Sequence, residues 1–181
     1  NKVQELTEKL AQNAYEGAPV HFIGHLQTNK VKFVVGKVDL IQSVDSLRLL
    51  EAIQKQAEKI GCTQDILLEV NVGGEASKSG FAPCEVLPLL EHISDFPNIF
   101  VRGLMAIPPI SEKSGDNLKF FQEILQLSVD ISAKKYDNVL VECLSMGMSD
   151  DFEDAILCGS TMIRIGTAIF GARDYAKLHL K

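Results

Sequence analysis

The chain has 181 residues, 46% of them hydrophobic, and a formal net charge of −6 at pH 7. This length suits one domain, and the negative balance argues against sequence-independent binding to nucleic acid. No run of about 18 apolar residues predicts a membrane helix and no signal peptide is recognisable, so we expect a cytoplasmic protein.

Six apolar runs have the composition of buried parallel strands. They are Val20–Gly24, Val38–Ser43, Ile66–Val72, Ile99–Ile107, Val139–Met146 and Met162–Phe170. Segments of helical periodicity, near residues 3–10, 47–60, 86–93 and 118–128, precede or separate them. This alternation predicts a parallel sheet with helices outside. Periodicity leaves two architectures open: an open doubly wound sheet, or a (β/α)8 barrel whose first strands lie outside this chain.

The four cysteines are widely spaced and form no CxxC or Cys/His cluster. They are Cys62, Cys84, Cys143 and Cys158. This spacing argues against structural zinc, and we predict no metal site. Apolar neighbours indicate reduced, packed thiols, as in a cytoplasmic protein.

The stretch 144–172 carries the clearest chemical signal. Two short apolar strands each lead into a turn of small residues, at 145–149 and 164–167. Between them, Asp150 and Glu153 have the spacing of a capping box, and Gly159 is suited to end the helix. Strand, small turn and helix together offer backbone N–H groups and hydroxyls to a phosphate. In a (β/α)8 barrel, the loops after the last two strands are the usual phosphate site.

Candidate phosphate donors are the backbone of Gly166, the hydroxyl of Thr167 and the hydroxyl of Ser145. The alternative is that the glycines only tighten the turns. Arg164 lies in an apolar strand, which favours either an ion pair with a neighbouring acid or a fixed donor aimed at a ligand. Because arginine has no acceptor, it would hold an aromatic ring nitrogen unprotonated.

Three further residues near the strand ends are weaker candidates. His25 opens a loop and is a candidate to lie over a ligand ring. Lys30 and Lys78 also lie at the predicted ligand end, where Lys78 is either solvated or bends toward a ligand from its small-residue loop.

Five segments resemble the pyridoxal-phosphate homeostasis protein family. They are HFIGHLQTNK at 21–30, LLEVNVGGEASKSGF at 67–81, VRGLMAIPP at 101–109, LSMGMSDDFEDAI at 144–156 and MIRIGTAIFGARDY at 162–175. The resemblance implies a (β/α)8 TIM barrel of the alanine racemase N-terminal type, with pyridoxal 5′-phosphate (PLP) at the carboxyl ends of its strands. It also implies that Arg164 faces the pyridine nitrogen. The predicted PLP contacts are Ser145, Met146, Arg164, Ile165, Gly166 and Thr167, with Asn1, His25 and Ser149 as secondary candidates.

The chain opens with NKVQEL, which matches the end of a FGENKVQEL motif in the family. The lysine that attaches PLP covalently in the family stands earlier, in the first strand. We therefore expect residues 1–181 to form a single PLP-binding barrel domain with about six of eight strands, lacking the first strand and most of the second. We assign no catalytic residue, since the Schiff-base lysine is absent.

Three hypotheses of function remain. The resemblance favours a protein of PLP (vitamin B6) homeostasis that carries or regulates cofactor, with PLP-dependent enzymes as candidate acceptors, working as a monomer. The alternative is a single-domain PLP-dependent amino-acid racemase. It is disfavoured because an arginine at the ring nitrogen weakens the cofactor as an electron sink, and because the second domain with its catalytic tyrosine is missing. The third is a phosphate-binding barrel unrelated to PLP.

Overall fold

The computed structural model describes residues 1–110, 113 and 115–171. Helices and strands alternate along them, with short 3-10 helices at Thr28–Phe33 and Ile93–Asp95. In chain order the elements are α1 Val3–Ala11, β1 His21–Phe22, β2 Leu40–Val44, α2 Leu47–Ile60, β3 Gln64–Val70, α3 Pro83–Glu91, β4 Ile99–Ala106, α4 Leu118–Ser132, β5 Val139–Met148, α5 Phe152–Leu157, β6 Met162–Arg164 and α6 Thr167–Phe170.

The six strands form one sheet in the order β1-β2-β3-β4-β5-β6, and every neighbouring pair is parallel. A doubly wound sheet reverses its strand order at a switch point, whereas an unbroken order is that of a barrel. In a flat sheet β2 and β6 would lie about 19 Å apart, at about 4.8 Å per strand. Yet Gln42 Nε2 of β2 lies 3.0 Å from Met162 Sδ of β6. The sheet is therefore curled, and the predicted fold class, an incomplete α/β barrel, is confirmed.

The larger core lies between the sheet and the helices. In α2, the residues at helical spacing that face the sheet are Leu49, Leu50, Ile53 and Ala57, all buried. The helix begins where the Ser46 side chain accepts the Leu49 N–H, and it ends at Gly61, which adopts the left-handed conformation. These ends agree with the helical periodicity of residues 47–60 in the sequence.

Two predicted boundaries are wrong. The apolar run 162–170 is not one strand, because pairing with β5 ends at Arg164 and residues Thr167–Phe170 form α6 after Gly166. The capping box at Asp150 is also wrong, since α5 begins at Phe152. Asp151 precedes α5, and its carboxylate accepts the Met148 N–H at 2.8 Å, closing the turn after β5. Gly159, with φ of +85°, follows the end of α5 as predicted.

Two glycines have structural reasons to be glycine. At Gly103, a Cβ would overlap the carbonyl group of Cys143 on the adjacent strand. At Gly147, φ is +92° and a Cβ would lie 2.6 Å from the Cβ of Ala155. Gly147 therefore lets α5 pack closely on the turn after β5, which brings that turn beside β6.

All four cysteines are free thiols. Cys143 and Cys158 are buried and Cys62 is half-buried, but Cys84 is exposed, so the expectation of packed thiols is wrong at that position. Among the described residues, no helix is long and apolar enough to cross a membrane. Within the same ranges, no three His, Cys, Asp or Glu side chains come together as metal ligands.

Candidate functional site

The inner face of the curled sheet is apolar in one layer and polar in the next. The apolar layer consists of Leu40, Leu67, Met105 and Cys143, with Ile107 and Met162 packed against it. Side chains two residues apart on a strand share a face, so the next inward positions toward the carboxyl ends follow from this layer. They are Gln42, Glu69, Ser145 and Arg164.

A line of hydrogen bonds crosses this polar layer. Arg164 Nη1 donates to Ser145 Oγ at 2.6 Å, and Ser145 Oγ donates to Gln42 Oε1 at 2.6 Å. Gln42 Nε2 lies 3.0 Å from His21 Nδ1. Ser145 and Gln42 are 0% and 2% exposed, so the bond between them is shielded from water, whereas His21 at the end of the line is exposed.

Arg164 is a cation held inside the barrel. Its Nη2 donates to the carbonyl oxygen of Ala106 on β4 at 2.9 Å, in addition to the Ser145 bond. Burial lowers the pKa of Arg164, while the nearby charges of Glu69 and Asp151 act in the opposite direction. The sequence left two roles open for Arg164, an ion pair with an acid or a fixed donor to a ligand. The structure shows features of both, because two hydrogen bonds fix the guanidinium and the carboxylates of Glu69 and Asp151 lie near it. Two of its five N–H groups are held by protein acceptors.

Glu69 is the acid of this layer. Burial raises the pKa of Glu69 to about 7, and repulsion from Asp45 adds to the rise. The charges of His25 and Arg164 oppose it. Near neutral pH Glu69 therefore exists in both protonation states and can take up or release a proton when a charged ligand arrives.

His25 lies at the rim of the site. Its Nδ1 lies 3.1 Å from Asp45 Oδ2, and its side chain is 65% exposed while that of Asp45 is 10% exposed. This contact fixes one edge of the imidazole ring at the carboxyl end of β2. The predicted stacking of His25 on a ligand stays a prediction.

The turns after β5 and β6 meet through Ser149. Its Oγ accepts the N–H groups of Gly166 and Ala168, at 3.3 and 3.2 Å. Gly166 and Thr167 are exposed. Two N–H groups thus converge on one oxygen at the surface, an arrangement that also suits an oxygen of a phosphate group.

The other predicted contacts differ in their accessibility. Ser145 is engaged with Gln42 and Arg164, and the Met146 side chain is fully buried in the outer core. A ligand would meet Met146 only through its backbone. Ile165 is half-buried, next to Arg164. Their assignment as PLP contacts stays a prediction.

Asn1 lines a groove of about 680 Å³ that also includes His25. The groove runs between α1 and the 3-10 helix at Thr28–Phe33. Its lining residues are Asn1, Lys2, Val3, Gln4, Thr7, His25, Gln27, Lys30 and Phe33. Through His25 the groove borders the rim of the polar layer.

Lys78 is held by its own loop and by the end of β4. Its Nζ donates to the Pro108 carbonyl oxygen at 3.0 Å and lies 3.1 Å from Glu75 Oε1. Asn71 closes the loop by donating to the carbonyl oxygens of Glu75 and Lys78. Lys78 is therefore not a freely solvated lysine, because its ammonium group is held by Pro108 and Glu75.

Sequence reasoning did not single out Gln42, Asp45 and Glu69. A signal existed, because Gln42 and Glu69 are polar residues inside the apolar runs LIQSV and LLEV. A polar side chain in a buried parallel strand needs a partner and so points to an interior network. Asp45 follows directly after β2, at the ligand end of the sheet.

Comparison with known proteins places these features in a family. The family described as alanine racemase, N-terminal domain, matches residues 2–174. A pyridoxal phosphate homeostasis protein of Aquifex aeolicus is 46% identical over 97% of this chain and 76% of its own length. Solved structures of PipY from Synechococcus elongatus, without PLP and with PLP bound, have TM-scores of 0.86 and 0.80 and identities of 31% and 30%. They cover 94% of this chain and 80% and 79% of PipY.

Proposed function

Because the chain belongs to the pyridoxal phosphate homeostasis protein family, we propose that it binds PLP at the carboxyl ends of β5 and β6 and serves intracellular PLP homeostasis. The observation that carries the proposal is the half-buried, doubly anchored Arg164 beside converging N–H groups. A PLP-bound structure of the related PipY supports the choice of ligand. The predicted single domain over residues 1–181 is part of the proposal.

The donor set fits the two ends of PLP. Its phosphate is a dianion that needs several N–H or O–H donors, and Gly166, Thr167 and Ser149 offer these at an exposed position. Its pyridine nitrogen is an acceptor, and Arg164 offers only donors. In this arrangement the Ser145 hydroxyl accepts a hydrogen bond from Arg164. Ser145 could donate to a phosphate only by giving up its hydrogen bond to Gln42.

The same donor set favours a carrier over a racemase. PLP supplies an electron-withdrawing ring for amino-group chemistry when it is bound. Arg164 keeps its proton and opposes protonation of the ring nitrogen, which weakens that electron withdrawal. If the alternative were correct, the full chain with PLP would interconvert D- and L-amino acids. We expect no turnover.

The compartment, the partners and the oligomeric state belong to the same proposal. Four free thiols support a reducing compartment such as the cytoplasm. The net charge of −6 disfavours nucleic acid as a partner. Transfer to PLP-dependent enzymes, and action as a monomer, are tested by adding acceptor apoenzyme and by sedimentation of the loaded protein.

The phosphate end is tested by the affinity for PLP. We expect Thr167→Val to keep the shape of the turn and to weaken PLP binding by about 1.5–3 kcal/mol, the range for a hydrogen bond to a charged group. Ser149→Ala should weaken binding in the same titration. Ser132→Ala, which removes a hydroxyl from α4 that donates to the Ser128 carbonyl oxygen, is the matched control. Unchanged affinity for PLP in both Thr167→Val and Ser149→Ala would show that the phosphate does not bind at this turn.

Covalent attachment is tested by borohydride reduction and peptide mapping. An amine attacks an aldehyde only without its proton, and the Lys78 ammonium contacts Glu75 and the Pro108 carbonyl. We expect no stoichiometric pyridoxyl adduct on this chain at neutral pH, and a partial adduct at Lys78 at alkaline pH. Lys78→Arg should abolish the alkaline adduct. A full adduct at pH 7 on any lysine would contradict this expectation.

A further inference from the structure

Gln42 has every polar atom of its side chain engaged inside the barrel. Its Oε1 accepts the Ser145 hydroxyl at 2.6 Å. Its Nε2 lies 3.0 Å from His21 Nδ1 and 3.0 Å from Met162 Sδ. Because Gln42 is only 2% exposed, water does not replace these partners, and losing one of them costs free energy.

These partners fix which way the Gln42 amide faces. The Met162 sulfur is only an acceptor, so it takes one N–H of Nε2. His21 Nδ1, when unprotonated, takes the other. An amide turned by 180° would set Oε1 against both acceptors and Nε2 against Ser145. The oxygen of Gln42 is therefore directed at Ser145.

The orientation of the Gln42 amide determines how Ser145 binds Arg164. A serine hydroxyl has one proton, and here that proton goes to Gln42. The lone pairs of Ser145 Oγ are then free to accept, and one takes the Arg164 Nη1–H at 2.6 Å. With the second bond, from Nη2 to the Ala106 carbonyl, the plane of the guanidinium is set from two strands.

We propose that Gln42 is a positioning residue for ligand binding, which orients the Arg164 guanidinium through the Ser145 hydroxyl. The ligand it serves is that of the proposed function, a ring with an unprotonated acceptor nitrogen. The orientation itself is a property of the protein without ligand. Gln42 itself contacts protein groups and not the ligand. By restricting where the remaining N–H groups of Arg164 lie, it makes Arg164 more selective for a ligand with an acceptor nitrogen at that position.

The test compares three variants of the full chain. Gln42→Leu has similar size and removes every polar contact. Gln42→Glu keeps an acceptor oxygen for Ser145 but loses the N–H groups that face Met162 and His21, so it rescues the Ser145 bond alone. Gln64→Leu is the matched control, because Gln64 is also 2% exposed on a strand but bonds to Gly36 N and the Val38 carbonyl at the other end of the barrel.

The first readout needs no ligand. In 15N NMR spectra, the Nη groups of Arg164 should give separate resonances in the wild type and in Gln64→Leu, because both are anchored. In Gln42→Leu they should exchange faster and merge, because the bond to the Ala106 carbonyl is then the one fixed anchor of the guanidinium, and in Gln42→Glu they should separate again. The resonances are assigned by their loss in Arg164→Gln. Separate Arg164 signals in Gln42→Leu would overturn the proposal.

The second readout is PLP titration. Gln42→Leu should bind about tenfold more weakly, as expected for one lost hydrogen bond, and should shift the absorbance maximum of bound PLP. Ser145→Ala should have the same effect, and the double variant should be no weaker than either single one. Equal affinity and spectrum in Gln42→Leu and wild type, or additive losses, would overturn the proposal. If wild type binds no PLP, the proposed function fails and the NMR result alone decides the role of Gln42.

Discussion

Replacing Glu69 by glutamine should raise the free energy of unfolding at pH 8 by up to about 3 kcal/mol. The pKa of Glu69 is about 7 in the folded chain, against 4.5 for the unperturbed group. Between these values the folded state holds a proton that the unfolded state has lost. Stability therefore falls as pH rises from 4.5 to 7, and at 1.36 kcal/mol per pKa unit the loss reaches about 3 kcal/mol.

Glutamine carries no such charge, so Glu69→Gln should match the wild type near pH 4.5 and exceed it increasingly up to pH 7. Urea unfolding at a series of pH values measures the difference. Glu123→Gln, at an exposed position on α4, is the matched control and should follow the wild-type curve. A Glu69→Gln curve parallel to wild type, or lower at pH 8, would show that Glu69 is not a destabilising buried acid.

Replacing Arg164 should have the largest effect on the ligand. Arg164→Gln loses a charged hydrogen bond to the ring nitrogen, about 1.5–3 kcal/mol, and also the attraction of a half-buried cation for the phosphate. We expect PLP to bind more than a hundredfold more weakly. Arg102→Gln is the matched control, because Arg102 pairs with Asp65 and Glu142 away from the polar layer.

Arg164→Glu tests the ring contact by a change of sign. A carboxylate beside the ring nitrogen favours its protonated form, where arginine favours the unprotonated form. The absorbance spectrum of bound PLP should therefore shift in Arg164→Glu, measured at a PLP concentration that saturates the variant. Retained binding with an unchanged spectrum would mean that Arg164 faces another part of the ligand.

The strands and helices were predictable from sequence because their pattern is local. The run Val139–Met146 and the stripe from Leu47 to Ile60 follow periodicities of a strand and a helix, and both elements form nearly where predicted. The run from 162 to 170 failed, since an apolar segment does not show where its pairing partner ends. The choice between an open sheet and a barrel was undecidable by periodicity, because curvature depends on contacts such as Gln42 to Met162.

The site was predictable only in part for the same reason. Arg164 is anomalous in an apolar strand, and Gly166 and Thr167 lie in a small-residue turn, so each carries a local signal. The partners of Arg164 carry no such local signal in the sequence. Gln42 is separated from Ser145 by 103 residues, and the pKa of Glu69 arises from burial that exists only after folding.

A crystal structure of the full chain with PLP tests the central claim most directly. We predict that the phosphate contacts the backbone N–H of Gly166 and the hydroxyls of Thr167 and Ser149, and that the guanidinium of Arg164 faces the ring nitrogen. PLP bound instead in the groove between α1 and the 3-10 helix at Thr28–Phe33, with Arg164 still bonded only to Ser145 and Ala106, would contradict the account.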